Sequence, residues 1–272
     1  MLGGNRSILV GLRMAATGML ASMLASCATP LKPEVAASIR TIGVISACGS
    51  TLALKHVGTI RFTNSDESAA IPEWGIDSVI VDGIRAALRE RYDVRQVNYD
   101  PTAFGRDRIG GSSGATFISA AVRNHAKPAD GASAYDAYVV VWPAERNDTI
   151  GNTSEQLPGI GVYDRNFLGI ETTALYSSCW VTVVDGRSFK TLAEEYLRLT
   201  SLEGSEALSR ILFNGAAQPS STQPYFQIVD RTYWAEKFSD LTPAQKINIQ
   251  AGLKQLVQSE IPATLRYLQL IQ

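Results

Sequence analysis

The chain has 272 residues, 45% of them hydrophobic, with 25 basic and 26 acidic side chains and a formal net charge of −1. That is enough for one substantial core or two small ones. The near-zero balance, with no basic stripe and no RNA-type aromatic motif, gives no support to a nucleic-acid partner.

At the N-terminus, Arg6 and Arg13 precede a charge-free run from Met14 to Ser26, rich in Leu, Met and Ala. The run has the length of a signal-peptide core and is too short to span a bilayer. It ends in Leu24-Ala25-Ser26-Cys27. These residues resemble the lipobox of bacterial lipoproteins. The resemblance implies removal of residues 1–26, a diacylglycerol thioether on Cys27 and acylation of the new N-terminus. Ala28 stands where an aspartate would be that family's inner-membrane signal, which implies the outer membrane, periplasmic face. The alternatives are an ordinary secretory signal or an uncleaved anchor. The mature chain would carry 23 basic and 26 acidic side chains. Residues 27–38, with Pro30 and Pro33, read as an extended tether, and 39–272 as one domain with a helical part over 206–272.

Ile39 to Cys48 alternates with small or apolar residues on both faces, the pattern of a central strand covered on two sides. Leu52 to Phe62 follows as a second strand or hairpin arm. Trp74 to Arg91 is a helix, with Ile76, Val79, Ile80, Gly83, Ile84, Ala87 and Leu88 on one face. Tyr92 to Tyr99 is a strand, Thr116 to Ala126 a weaker helix and Tyr135 to Trp142 a buried strand. Ala144 to Pro158 is polar and reads as a long exposed loop. Thr172 to Val184 and Lys190 to Leu199 form a hairpin around Asp185-Gly186. Pro219 to Phe238 is aromatic. Thr242-Pro243-Ala244-Gln245 starts a helix with a capping box, which Pro262 is expected to break. The order β-β-α-β-α-β-β-β plus C-terminal helices predicts an α/β (α+β) sandwich around a mixed sheet, in two or three layers.

Cys48 and Cys179 lie in strand-like runs. An oxidising compartment permits a disulfide between them, and two buried thiols are the alternative. His56 sits beside Lys55 in a strand, and His125 late in a helix suits the helix dipole. Neither belongs to a metal motif, so no metal and no cofactor is expected. Glu194 and Glu195 are neighbours on a strand and must point to opposite faces. Gly110 to Gly114, before a helix, could cradle an anion but lacks the phosphate-loop lysine, so a flexible turn with a serine cap is the expectation. Asp148 and Glu155 could serve such a loop. Tyr225, Tyr233 and Trp234 are either packing residues or a partner surface.

The body from 39 to 200 is also weakly similar in architecture to the penicillin-binding-protein activator lipoprotein, the curli secretion lipoprotein and the N-terminal domain of the Tol propeller protein. No diagnostic motif carries that likeness. The expectation is a membrane-anchored, non-enzymatic envelope protein that binds or scaffolds another envelope component. The alternatives are an envelope hydrolase or small-ligand enzyme, or a subunit of an oligomeric secretion assembly.

Overall fold

The computed structural model describes residues 30–105, 114–132, 134–198 and 225–272. Cys27 and most of the Gly110 to Gly114 turn lie outside them, as does 206–224 of the expected helical part.

The described chain opens with a short helix, α1 (Pro33–Ser38), then β1 (Thr41–Ser46), β2 (Thr51–Val57) and β3 (Ser65–Ala70). Helix α2 (Ile76–Leu88) leads to β4 (Asp93–Arg95) and β5 (Val97–Asn98), and α3 (Gly114–His125) to β6 (Lys127–Pro128) and β7 (Ala137–Pro143). Strands β8 (Glu145–Asn147), β9 (Gln156–Phe167), β10 (Ile170–Asp185), β11 (Thr191–Tyr196) and β12 (Phe226–Val229) follow, and α4 (Pro243–Tyr267) ends the order. The result is a mixed α/β sandwich, with ten strands in one sheet and β5–β6 as a separate pair.

The long strand β10 organises that sheet. Its first part, Ile170–Ser178, pairs with β9, and Thr173–Tyr176 pairs with β12. Its second part, Cys179–Asp185, pairs with β7, and Trp180–Val184 pairs with β11. Backbone contacts at the seam place β7 and β9 on one flank and β11 and β12 on the other. Ser178 accepts from Ala144, whereas Ser177 donates to Tyr225 and Cys179 accepts from Leu197. Two half-sheets thus share one spine: β4-β1-β7-β10-β11 and β3-β2-β9-β10-β12.

Strand β1 has the predicted two-sided burial. Ile42, Val44 and Cys48 enter the main core under α2 and α4, while Ile45 and Ala47 enter a second core with Phe104, Ile118, Val122 and Trp142 under α3. The α2 stripe Ile76, Ile80, Ile84 and Leu88 is buried as its spacing requires. A third cluster, around Ala53, Ile150, Leu157, Tyr163, Tyr176 and Tyr225, covers the outer face of the β2-β9-β10 half.

Several expectations are corrected. The tether does not run to residue 38: Leu31 is buried, its N–H donates to Leu268 O at 3.3 Å, and Pro33 starts α1. Proline is pre-organised for the first helical turn, and Leu31 and Ala36 find apolar partners there. The strand from Leu52 ends at Val57, and the polar, alternately exposed β3 was not anticipated. Ala144 to Pro158 is not an exposed loop. Strand β8 pairs with the start of β9, and Ala144, Asp148, Ile150 and Leu157 are buried. The turn's polar groups bond to one another, so its polarity does not require solvent. Helix α4 starts at the Thr242 capping box as predicted but continues through Pro262. The carbonyl that proline orphans belongs to Gln258, which is exposed, while Ile261 just before the proline and Leu265 and Leu268 after it pack in the core. That burial outweighs the local helix-breaking tendency.

Cys48 and Cys179 form a disulfide with Cα atoms 6.1 Å apart and a sequence separation of 131. It fastens the β1–β2 crossing to the residue of β10 at which the half-sheets meet. Closing so long a loop restricts the unfolded chain strongly. Replacing both cysteines by alanine should lower unfolding free energy by about 2–4 kcal/mol, measured by urea denaturation; the oxidised protein should lose the same amount on reduction.

Candidate functional site

The end of the β2-β9-β10 half-sheet that lies beyond the N-terminus of α4 carries both an ionic cluster and an apolar tip. His56 and Asp164 are register partners on the parallel pair β2–β9, so their side chains share a face. His56 Nδ1 lies 2.8 Å from Asp164 Oδ2. Asp164 is fully buried and also accepts from Thr173 Oγ1 at 2.8 Å. Arg231 Nε approaches its other oxygen at 3.9 Å, and the same guanidinium pairs with Glu171. The Trp234 ring lies 5.8 Å from the His56 ring, and Trp234 O accepts from Gln245 Nε2 of α4. A carboxylate that fixes one imidazole nitrogen leaves the other available to a partner. On the opposite face, Lys55 bridges Asp66 (3.0 Å) and Glu155 (2.9 Å). These carboxylates hold the Lys55 ammonium above its usual range despite partial burial.

Beyond these pairs the surface becomes apolar. Thr59 Oγ1 donates to Asn166 O at 3.2 Å and accepts from Leu168 N at 3.4 Å, joining the loop after β2 to the β9–β10 turn. Ile60 and Phe62 stand exposed on the first loop, and Phe167, Leu168 and Ile170 on the second. The first loop is braced from within: Gly58 N donates to Asn64 Oδ1 at 3.0 Å, and Thr63 Oγ1 donates to Ile60 O at 2.7 Å. Leu168 and Gly169 have φ of +51° and +83°, as a two-residue hairpin turn with positive φ at both central positions requires. Leucine is a costly choice there.

A second ionic cluster lies inside, at the seam. Glu260 of α4 is fully buried against Ser177, whose Oγ is 2.6 Å from Oε1. Burial pushes the Glu260 carboxyl up to about 8, against the opposing effects of the Ser177 hydroxyl and the Arg146 charge. Arg146 is sandwiched between the rings of Tyr196 and Tyr225, at 4.2 and 4.1 Å, and burial lowers its pKa. Glu195 faces the same region and pairs with Arg198 at 3.4 Å.

The residues singled out in the sequence are distributed differently from the expectation. Tyr225 is buried; its hydroxyl donates to Asn147 O at 3.0 Å. Tyr233 and Trp234 are half-buried against the main core. The Tyr225 ring is thus closed off inside the fold, whereas Tyr233 and Trp234 each turn one side to the core. His125 ends α3, exposed. Gly114 begins that helix, where a Cβ would overlap the Trp142 ring. Glu194 accepts from Thr182 Oγ1 at 3.0 Å on the α3 side, and Glu195 points the other way. Asp148 accepts from Gly151 N, Thr153 Oγ1 and Tyr163 Oη at 2.8, 2.5 and 2.9 Å, whereas Glu155 turns to Lys55. The two acids do not converge. His56–Asp164 is missed by sequence reasoning because its partners are 108 residues apart. Glu260 left a signal: it falls on the α4 stripe with Leu256, Val257 and Thr264.

Two outcomes test this geometry. Glu260 binds its proton more tightly in the folded state than at its ordinary 4.5, so it contributes stability fully at low pH and loses it as pH rises towards 8. Glu260→Gln should match the wild type near pH 4.5 and become progressively more stable by comparison up to about pH 8, then stay level, in urea unfolding across pH. Thr173→Val should lower stability by about 1.5–3 kcal/mol, because a buried carboxylate loses a donor. Comparison with protein families, curated proteins and solved structures finds no match for this chain.

Proposed function

We propose that this chain is an outer-membrane lipoprotein, held at the periplasmic face by lipid on Cys27, whose body binds or scaffolds another envelope component rather than catalysing a reaction. The observation that carries the export reading is the Cys48–Cys179 disulfide. Disulfides persist in oxidising compartments such as the periplasm, and this agrees with the lipobox-like Leu24-Ala25-Ser26-Cys27. Three acyl chains, at roughly 0.8 kcal/mol per buried methylene, hold a protein at a membrane far more firmly than one chain does.

The non-enzymatic reading is supported by how the polar groups are used. Asp148, Asp164 and Glu260 are each buried and hydrogen-bonded to side chains of the same fold.

Fractionation tests the anchor. In a bacterial host, wild-type protein should incorporate labelled palmitate and partition with outer membranes, and Cys27→Ser should lose the label while keeping a folded body. Palmitate incorporation by Cys27→Ser would overturn the reading.

A further inference from the structure

We infer that the loop 58–64 and the β9–β10 hairpin end, residues 165–170, form a second, lipid-independent membrane contact that inserts into the interfacial region of an anionic bilayer. The inference rests on the envelope reading only for the presence of a bilayer, and not on acylation of Cys27.

Four features converge on this end of the molecule. The first is exposure. Phe62 is 97% exposed, Leu168 75%, Ile170 60% and Ile60 58%. Phe167, at 41%, joins them. Scattered single apolar residues on a surface need no explanation, but a contiguous group does.

The second is shape. These side chains stand on the tips of two loops that the Thr59 hydroxyl ties together. A protruding set of rings and aliphatic groups fits a fluid headgroup–acyl boundary, into which apolar groups sink about 5–10 Å.

The third is charge. In a chain of net charge −1, Arg61 and Arg165 are the only ionic residues in the two loops. Arg61 is exposed between Ile60 and Phe62; Arg165 is half-buried, its guanidinium donating to Gly151 O and lying 5.0 Å from the Phe167 ring. Of the neighbouring acids, Glu171 pairs with Arg231, and Asp66 and Glu155 pair with Lys55, Glu155 also accepting from Asn64. An apolar tip with an exposed arginine at its centre is complementary to anionic headgroups.

The fourth is strain. Leu168 holds φ +51° in a turn position that asparagine or glycine fills without penalty. Neither burial nor packing accounts for leucine here, since the side chain is mostly in solvent. Strain retained at an exposed position points to use.

Placement gives the contact a geometry. The tip lies beyond the N-terminal end of α4, through His56, Trp234 and Gln245. Leu31, four positions after the proposed anchor in sequence, meets Leu268 past the other end of the same helix. With 25 residues at 1.5 Å each, α4 separates the two by about 37 Å. Engaging both ends would lay the body lengthwise along the membrane.

The experiment uses the full chain carrying Cys27→Ser, so that no thioether-linked lipid contributes. An environment-sensitive nitrobenzoxadiazole dye is attached at Phe62→Cys and, as a control, at Ile247→Cys, exposed on α4. Vesicles of phosphatidylethanolamine and phosphatidylglycerol should raise emission several-fold at position 62 and not at 247, and brominated acyl chains should quench it. Arg61→Gln should weaken this binding roughly fivefold. Leu168→Asn should raise Tm by a few degrees while lowering vesicle affinity, a pairing that a purely structural role would not produce. Equal, dim emission at 62 and 247 overturns the inference. So does emission at 62 that rises only with solubilised envelope protein, which would assign the tip to a protein partner. Palmitate labelling of the wild type reports separately on Cys27, so the two readings fail independently.

Discussion

The continuity of β10 is the constraint on which the rest of this structure depends. One strand supplies hydrogen bonds to two half-sheets, on both flanks, and the pairing changes from β9 and β12 to β7 and β11 near Ser178. At such a junction neighbouring strands must diverge, and backbone groups lose the regular ladder that would otherwise satisfy them. The molecule concentrates its reinforcements there. The Cys48–Cys179 disulfide joins the crossing segment to the spine, α4 spans both halves, and Ser177, Glu260, Arg146 and Thr264 supply polar contacts where apolar packing alone would leave groups unpaired. Neither half-sheet has a strand to replace β10, so the halves are expected to lose order together.

Legibility in the sequence followed the range of the interaction. The α2 stripe, the two-sided β1, the Asp185-Gly186 hairpin and the Thr242 capping box are each set by residues within about ten positions, and all were readable. Pro262 misled because its local penalty is real but smaller than the burial of Ile261 before it and Leu265 and Leu268 beyond it. The segment 144–158 misled for a related reason. Its acids and hydroxyls suggested solvent, yet Asp148 is satisfied by Gly151, Thr153 and Tyr163, and the turn closes over Ile150 and Leu157. The His56–Asp164 pairing was out of reach, because it depends on the parallel register of β2 and β9, which no local pattern specifies.

Polar and apolar chemistry are divided in an unusual direction. Carboxylates at 148, 164 and 260 are inside and satisfied, while five large apolar side chains of the β2 and β9–β10 loops are outside. The tyrosines and tryptophan of the aromatic segment, by composition the most partner-like part of the chain, cover the sheet instead. Composition names residue types suited to recognition; topology decides which of them reach the surface. Here that surface is a turn whose leucine occupies a backbone region it disfavours.

The contact between Leu31 and Leu268 brings the two ends of the described chain to one side of the fold. Genetic fusion is therefore directional. A reporter appended after Gln272 would emerge on the same side of the fold as Leu31. An insertion in the β9–β10 turn would instead project from the far pole. With the ends this close, joining them by a short linker and reopening the chain in an exposed loop is a feasible circular permutation, and it would free the body from any requirement that its N-terminus come first.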